Sequence, residues 1–511
     1  MKRLNVSSGY LIKSFLLLIC LVLIVSPSFS ANEVLPVNED LNDLFVSLHP
    51  AGDPAPAMSR LITDNAEAWY ARWKMFEMAK KSIDCTYFIV DQDIFGKSFL
   101  GLIRKKAREG LKIRLMIDDR FLRGAKKLSD YDELDEIARF KNVQIKIYNP
   151  IPKAVLKAVS DFRTVMVSNH DKIILIDDEL SMVGGRNIGK DYFVQYGEFK
   201  NVFSDMDIVI NSKEVAKSLR LAFEEEWESL RNSFVKPDLF NLVDQTVPLD
   251  LAYRVMNRYL MQGDINLPEK LDVSDSLKEC LIKYNSEIVK YKQLSAYSAF
   301  NMFQGEHPKK IKIIDKHSMF GPKDDISGNI LKMIDKCKHE ILIQNAYVVL
   351  DIKTWAALKR ASERGVKIII NTNSGESTNH GSTVAFFLND WKNILSDMPT
   401  ARILVFPKGE RCLHTKAFVF DQQFVVAGTY NLDPLSQVIN SEVMAVINDK
   451  GLARKIAGYM DKDFARCLEY KIEKDSKGNI KVLFGPEDHT SEEVMKKLNF
   501  MRKIQWIRPL I

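Results

Sequence analysis

Two short stretches of this chain pair a histidine with a lysine two residues on. The first reads His170-Asp171-Lys172, runs through Ile173-Ile174-Leu175-Ile176 and ends at Asp177. The second reads His414-Thr415-Lys416, runs through Ala417-Phe418-Val419-Phe420 and ends at Asp421. Both are HxKxxxxD. The intervening residues are apolar, β-branched or aromatic, which predicts a buried strand. Strand side chains alternate between faces, so each strand start presents an imidazole and an ammonium on one side. Asp177 and Asp421 complete the catalytic motif at the strand ends, where capping of the following turn competes with a part in the chemistry. Two such pairs facing one cleft suit a phosphodiester. One imidazole can attack phosphorus, the other can move the alcohol proton, and the lysines supply positive charge. With that charge in hand the chemistry requires neither metal nor cofactor, and no HExxH or Cys/His knot is present.

The continuation of each motif is also repeated. Val183-Gly184-Gly185-Arg186-Asn187 comes after the first, and Ala427-Gly428-Thr429-Tyr430-Asn431 after the second. At Gly185 and Thr429 the backbone can approach an anion closely, and Asn187 and Asn431 add neutral donors. Further on, Phe203-Ser204-Asp205-Met206-Asp207 lies about where the second half has Ser441-Glu442, so a carboxylate there could hold an imidazole in position.

These segments need two similar frames to carry them, and the sequence repeats accordingly. Residues 75–90 and 333–349 each read as a helix end, a polar break and an apolar strand. KKAREGLKIRLMID (105–118) and KRASERGVKIIINTN (359–373) each read as a basic helix, a glycine cap and a strand. The glycines, Gly110 and Gly365, lie 255 residues apart, close to the 244 between the histidines. The pattern predicts βαβ units in two α/β lobes, at 31–235 and 311–475. A helical connector or insertion (236–310) lies between them. A tail (476–511) forms a turn and a helix that packs back on a lobe.

Composition sets the outer limits. At 511 residues, 46% hydrophobic and 27% charged, the chain is globular and large enough for two cores. Lys2, Arg3 and Lys13, the apolar run Phe15–Val25, and Ser28-Phe29-Ser30 make residues 1–30 a signal peptide or N-terminal anchor. Such a leader predicts a protein exported across a membrane or attached to it: periplasmic, secreted or anchored. The formal charge of +6 falls to +3 without those residues, too low for a phosphate-tracking nucleic-acid groove. Five widely spaced cysteines remain, without a CxxC. His380 lies in a polar loop after a second-lobe strand, where α/β clefts are commonly lined.

Paired HxKxxxxD motifs with GGRN and GTYNLDPLS…NSE continuations resemble the phospholipase D superfamily over nearly the whole mature chain. Ser82 to Asp91, Asp118-Asp119, GGRNIGKDYF with SDMD, and Thr372-Asn373-Ser374 are most similar to bacterial cardiolipin synthases, above all their C-type branch. The resemblance implies two phospholipase D-like α/β/α sandwich lobes in pseudo-two-fold arrangement, with one active site at their interface. It implies a phosphatidyl-histidine intermediate. By motif position His170 would be the nucleophile and His414 the general acid/base, the reverse staying open. Lys172, Lys416, Asn187 and Asn431 would hold phosphoryl oxygens, and Asp207 and Glu442 would orient the histidines. Asn379, His380, Phe386 and Phe387 depart from the family pattern, so the acceptor is left open. The implied function is phosphatidyl transfer at a membrane surface, foremost cardiolipin synthesis from phosphatidylglycerol and a second phospholipid. Phospholipase D hydrolysis is the alternative. A nuclease and a non-catalytic lipid binder rank below both. Partners beyond phospholipid and membrane surface, including any accessory protein, are left open.

Overall fold

The computed structural model describes residues 34–119, 132–150, 161–200, 202–236, 247–263 and 275–510. The expected leader at 1–30 lies outside them. Residues 37–511 make one compact unit.

The same sheet is built twice. In the first half the strand order is Ala57–Ile62, Asp207–Asn211, Leu180–Gly184, Ile173–Ile176, Ser82–Tyr87, Lys112–Asp118, Val143–Tyr148 and Ser233–Phe234. In the second it is Pro308–Lys316, Glu442–Asn448, Phe424–Gly428, Lys416–Phe420, Glu340–Asn345, Lys367–Asn373, Ala401–Phe406 and Leu468–Lys474. In each, three neighbouring strands run parallel as the βαβ pattern predicts. The HxK strand pairs antiparallel to the first of them. Ala57 and Met58 pair antiparallel with Lys309 and Pro308, joining the two sheets edge to edge. The chain therefore has two α/β/α lobes related by a pseudo-two-fold.

The local signals act as expected. Gly110 (φ 88°) and Gly365 (φ 84°) end their helices in the left-handed region that only glycine occupies without strain. Helix Ile94–Arg108 buries Phe95, Phe99, Leu102 and Ile103, and helix Asp325–Lys336 buries Ile326, Ile330, Met333 and Ile334. Each set recurs every three to four residues.

Two assignments of chain to lobe differ from the sequence reading. Helix Glu39–Ser47, expected within the first lobe, buries Leu41, Leu44 and Phe45 in the second core. Asn38 fixes it there, its amide donating to Asp421 Oδ2 at 2.6 Å and its N–H to Gln423 Oε1 at 2.9 Å. Helix Val247–Gln262, within the expected connector, is part of the first core. Leu249, Val255, Met256 and Tyr259 are buried there, and Arg104 pairs with Asp250 at 2.6 Å.

In the expected tail (476–511), Ile480–Phe484 pairs as a hairpin with the second-lobe strand Leu468–Lys474, and helix Glu492–Met501 lays Met495 and Leu498 on the second core. Among the described residues no helix is long and apolar enough to cross a membrane.

Candidate active site

Where the lobes meet, the backbone makes two matching parallel contacts. Asn169 bridges Ser441, and Leu413 pairs with Ser204. Each joins the residue before a motif histidine to the residue before a carboxylate of the other lobe. His170 Nδ1 lies 3.0 Å from both Glu442 oxygens, and His414 Nδ1 lies 2.6 Å from Asp205 Oδ2. Each lobe thus supplies the carboxylate that holds the other lobe's histidine. A carboxylate at Nδ1 takes that N–H and puts the basic lone pair on Nε2, the atom that can attack or carry a proton.

Asp207 does not orient a histidine. It is wholly buried between two guanidinium groups, with Arg72 at 2.9 Å and Arg186 at 3.0 Å. Sheet register explains the difference. Gly184 pairs with Asp207 and Gly428 with Met444, so the position matching Glu442 is two residues before Asp207, at Asp205. Asp205 lies just ahead of the strand that Asp207 opens, and only the pairing tells the two apart. Arg186 also donates to Thr63 O and Asn65 Oδ1, both at 2.9 Å, which makes it a buried structural tie.

The motif aspartates lie away from the histidines. Asp177 and Asp421 sit at positive φ (55° and 49°) in the hairpin turns that come after their strands. Asp177 accepts the N–H groups of Lys80, Lys81 and Ser82 at 2.7–2.9 Å. Asp421 accepts those of Lys338, His339 and Glu340 at 2.8–3.0 Å. Their carboxylates are spent on the start of the neighbouring strand, so they pin the frame and take no direct part in the chemistry.

The lysines behave as the strand alternation predicts. Lys172 Nζ donates to His170 O at 2.6 Å, and Lys416 Nζ lies 2.9 Å from His414 Nδ1. Burial lowers Lys172 to about 7, Lys416 adding to the fall while Glu442 opposes it. Burial and then the Lys416 charge bring His414 down to about 3, which favours its neutral imidazole. Burial opposes ionisation of Asp205, but Lys416 and His414 outweigh it and hold the carboxyl below its usual range. Glu442 rises to about 7 through burial, against the pull of Lys172. Burial likewise takes Asp433 to about 7. The cleft thus holds several protons poised near neutrality, as functional sites often do.

The expected phosphate-binding positions divide. Asn187 is committed, accepting from Ile89 N at 3.1 Å and donating to Tyr192 OH at 2.9 Å. Asn431 is buried, and its Oδ1 has no hydrogen-bond partner among the described residues. Thr429 Oγ1 is committed to Val443, accepting its N–H at 2.9 Å and donating to its carbonyl oxygen at 3.3 Å. Gly185 clears space, since a Cβ there would lie 2.2 Å from Asp205 Oδ1.

Sequence reading missed the aromatic walls. Tyr192 and Phe203 each lie 5.3 Å from the His414 ring, Tyr347 lies 6.4 Å from it, and Phe88 lies 5.2 Å from His170. Tyr192 lies within GGRNIGKDYF and could have been found there. Tyr347 carries no signal beyond its place in a repeated strand end. The loop carrying His380 reaches this wall: Asn379 accepts from Tyr347 OH at 2.8 Å, and the rings of Tyr347 and His380 are 5.3 Å apart.

Comparison with known proteins supplies the family. The family described as cardiolipin synthase, PLD-like domain, matches residues 73–227 and 330–468, one stretch in each lobe. The chain is 24% identical over 484 residues to cardiolipin synthase C of Escherichia coli (strain K12), covering 87% of this chain and 95% of that protein. It is 24% identical over 426 residues to an uncharacterized protein of Helicobacter pylori, covering 79% of this chain and 78% of that one. The crystal structure of phosphatidylserine synthase from Haemophilus influenzae Rd KW20 matches with a TM-score of 0.58 at 14% identity, over 93% of this chain and 99% of that chain. At that identity the likeness concerns the fold. With its family matched in both lobes and a histidine–lysine pair supplied by each, the chain belongs to the cardiolipin synthase PLD-like family, within the phospholipase D superfamily of enzymes.

Proposed function

We propose that this enzyme transfers a phosphatidyl group between phospholipids through a phosphohistidine, foremost making cardiolipin from phosphatidylglycerol and a second phospholipid. The observation that carries the reading is the reciprocal pairing of His170 with Glu442 and His414 with Asp205, each beside a buried lysine. His170 Nε2 attacks phosphorus, and the bond from phosphorus to the leaving alcohol oxygen breaks. His414, as imidazolium, gives that oxygen its proton. In the second half His414 takes the proton of the incoming alcohol, whose oxygen attacks phosphorus and releases His170. Asp205 favours this assignment, because a carboxylate held ionised suits the imidazole that must carry positive charge. The entering phosphodiester anion offsets the burial and the Lys416 charge that favour the neutral imidazole of His414. Lys172 and Lys416 stabilise the phosphoryl oxygens. Residues 1–30 deliver the enzyme to or across the inner membrane.

A product assay tests the reading. Protein in detergent–phospholipid micelles receives phosphatidylglycerol and phosphatidylethanolamine, and products are read by mass spectrometry beside His170→Ala and His414→Ala. Cardiolipin made by the wild type and lost in both variants supports transfer. Phosphatidic acid alone makes the enzyme a hydrolase. Turnover that survives in either variant refutes the two-histidine mechanism.

A further inference from the structure

The carboxy-terminal edge of the molecule exposes large apolar side chains. Helix Glu492–Met501 buries Met495 and Leu498 but leaves Phe500 68% exposed. The turn Gln505–Leu510 leaves Trp506 75% exposed, and Ile352, at the start of helix Ile352–Glu363, is 89% exposed. These segments are tied together. Arg508 pairs with Asp390 at 2.5 Å and donates to Leu350 O at 3.5 Å, and Arg502 donates to Asn389 Oδ1 at 2.8 Å.

The edge connects to the catalytic cleft through a short path of contacts. Ser491 N–H donates to Glu376 Oε1 at 2.7 Å, and a methyl group on Gly375 would sit 2.7 Å from Leu498 Cδ1. The same loop carries Asn379, bonded to the Tyr347 hydroxyl, and the Tyr347 ring stands edge-on to His414. Residues 496–510 contain five basic residues (Lys496, Lys497, Arg502, Lys503 and Arg508) and no acidic one. The ion pairs of Lys496 and Lys497 with Glu492 and Glu493 are solvent-exposed and hold the lysines only weakly.

Exposed aromatic side chains among lysines match the headgroup zone of an anionic bilayer, where aromatic rings and long basic side chains both settle. We propose that this edge docks on an anionic phospholipid surface. Phe500, Trp506 and Ile352 enter the headgroup region, and Lys496, Lys497 and Lys503 meet lipid phosphates. The loop that links this edge to Tyr347 and His414 is then held close to the lipid phosphodiesters. The inference rests on the phospholipid reading of the site, but its test does not need turnover.

The apolar run Phe15–Val25 can bind lipid by itself, so the measurement must be local to the edge. Full-length protein is mixed with vesicles of phosphatidylglycerol and bromine-labelled phosphatidylcholine. The fluorescence of Trp506 is isolated as the difference between wild type and Trp506→Phe. Blue shift and quenching of that component support docking, whereas an unquenched component overturns it. Turnover of vesicular phosphatidylglycerol is also compared with turnover of a monomeric short-chain analogue in Phe500→Ser/Trp506→Ser. The vesicle-to-monomer ratio is expected to fall about tenfold or more. Equal loss on both substrates overturns the proposal. If the wild type turns over neither lipid, the functional reading fails and the quenching result alone decides the docking.

Discussion

Asp207 opens strand Asp207–Asn211 and Asp205 lies two residues before it, yet the two are assigned opposite work, so exchanging each for asparagine separates mechanism from framework. In Asp205→Asn the amide is nearly the same size as the carboxylate but neutral. The 2.6 Å contact to His414 Nδ1 loses its charge. A buried charge-assisted hydrogen bond is worth about 1.5–3 kcal/mol, or roughly ten- to 150-fold in rate at about 1.4 kcal/mol per tenfold. An amide can also donate to Nδ1, which moves the imidazole proton to Nε2 and blocks its use as a base. That error alone has cost about 10⁴ in a comparable triad. The expected kcat is therefore lower by about 10²–10⁴, with melting little changed. Asp207→Asn leaves Arg72 and Arg186 buried without their counter-ion. Breaking a buried pair costs about 3–5 kcal/mol, so this variant melts earlier while its folded fraction keeps most of its turnover. Turnover of a phosphatidylglycerol substrate, normalised to folded protein by circular dichroism, is the assay. A folded Asp207→Asn with a 10²-fold loss beside a near-normal Asp205→Asn would refute the cross-lobe assignment.

The same geometry sets other outcomes. Gly185→Ala pushes a methyl group to 2.2 Å from Asp205 Oδ1 and must turn that carboxylate off His414. A misplacement of that size lowers kcat by about 10²-fold, read in the same assay with KM little changed. Asp421→Ala strands the N–H groups of Lys338, His339 and Glu340 and costs about 2–4 kcal/mol in denaturant unfolding, with turnover of the folded enzyme retained. Because the folded Asp421 titrates below its ordinary value, its contribution is complete above about pH 4 and vanishes as pH falls through the folded value. Acid unfolding of the alanine variant should lack that limb. Lys172, lowered to about 7, is largely neutral at pH 8, and a bound anion favours its ammonium. Sulfate binding at pH 8 should therefore take up protons, seen as heats that differ between buffers of unlike ionisation enthalpy. The uptake should diminish in Lys172→Arg, and identical heats in the wild type would contradict the shift.

The histidines and lysines were legible because a strand has a period of two and each motif occurs on its own strand in a repeated frame. The repeat itself was legible because glycine caps and apolar strands recur at nearly one offset, and the two sheets share one strand order. The carboxylate partner was only half legible. Glu442 is legible, but SDMD offers two aspartates two residues apart, and nothing local says which stands opposite Gly184. Nor does sequence proximity reveal an exchange between lobes, since His170 and Glu442 are 272 residues apart. Helix Glu39–Ser47 was assigned to the nearer lobe because its amphipathic face carries no address. Asn38, reaching Asp421 and Gln423, gives it one. The motif aspartates were ambiguous for a related reason, as a carboxylate that clamps three backbone N–H groups looks in sequence like one that does chemistry.

The most direct test of the central claim is to trap the covalent intermediate. Enzyme is mixed with phosphatidylglycerol labelled in its phosphorus, quenched in alkali within one turnover, and mapped by mass spectrometry of its peptides. The account predicts an acid-labile adduct on the peptide carrying His170. It should be absent in His170→Ala and should accumulate in His414→Ala when the leaving alcohol is replaced by one that needs no proton. An adduct on His414 instead would reverse the two roles, and turnover with no adduct on either histidine would contradict the mechanism.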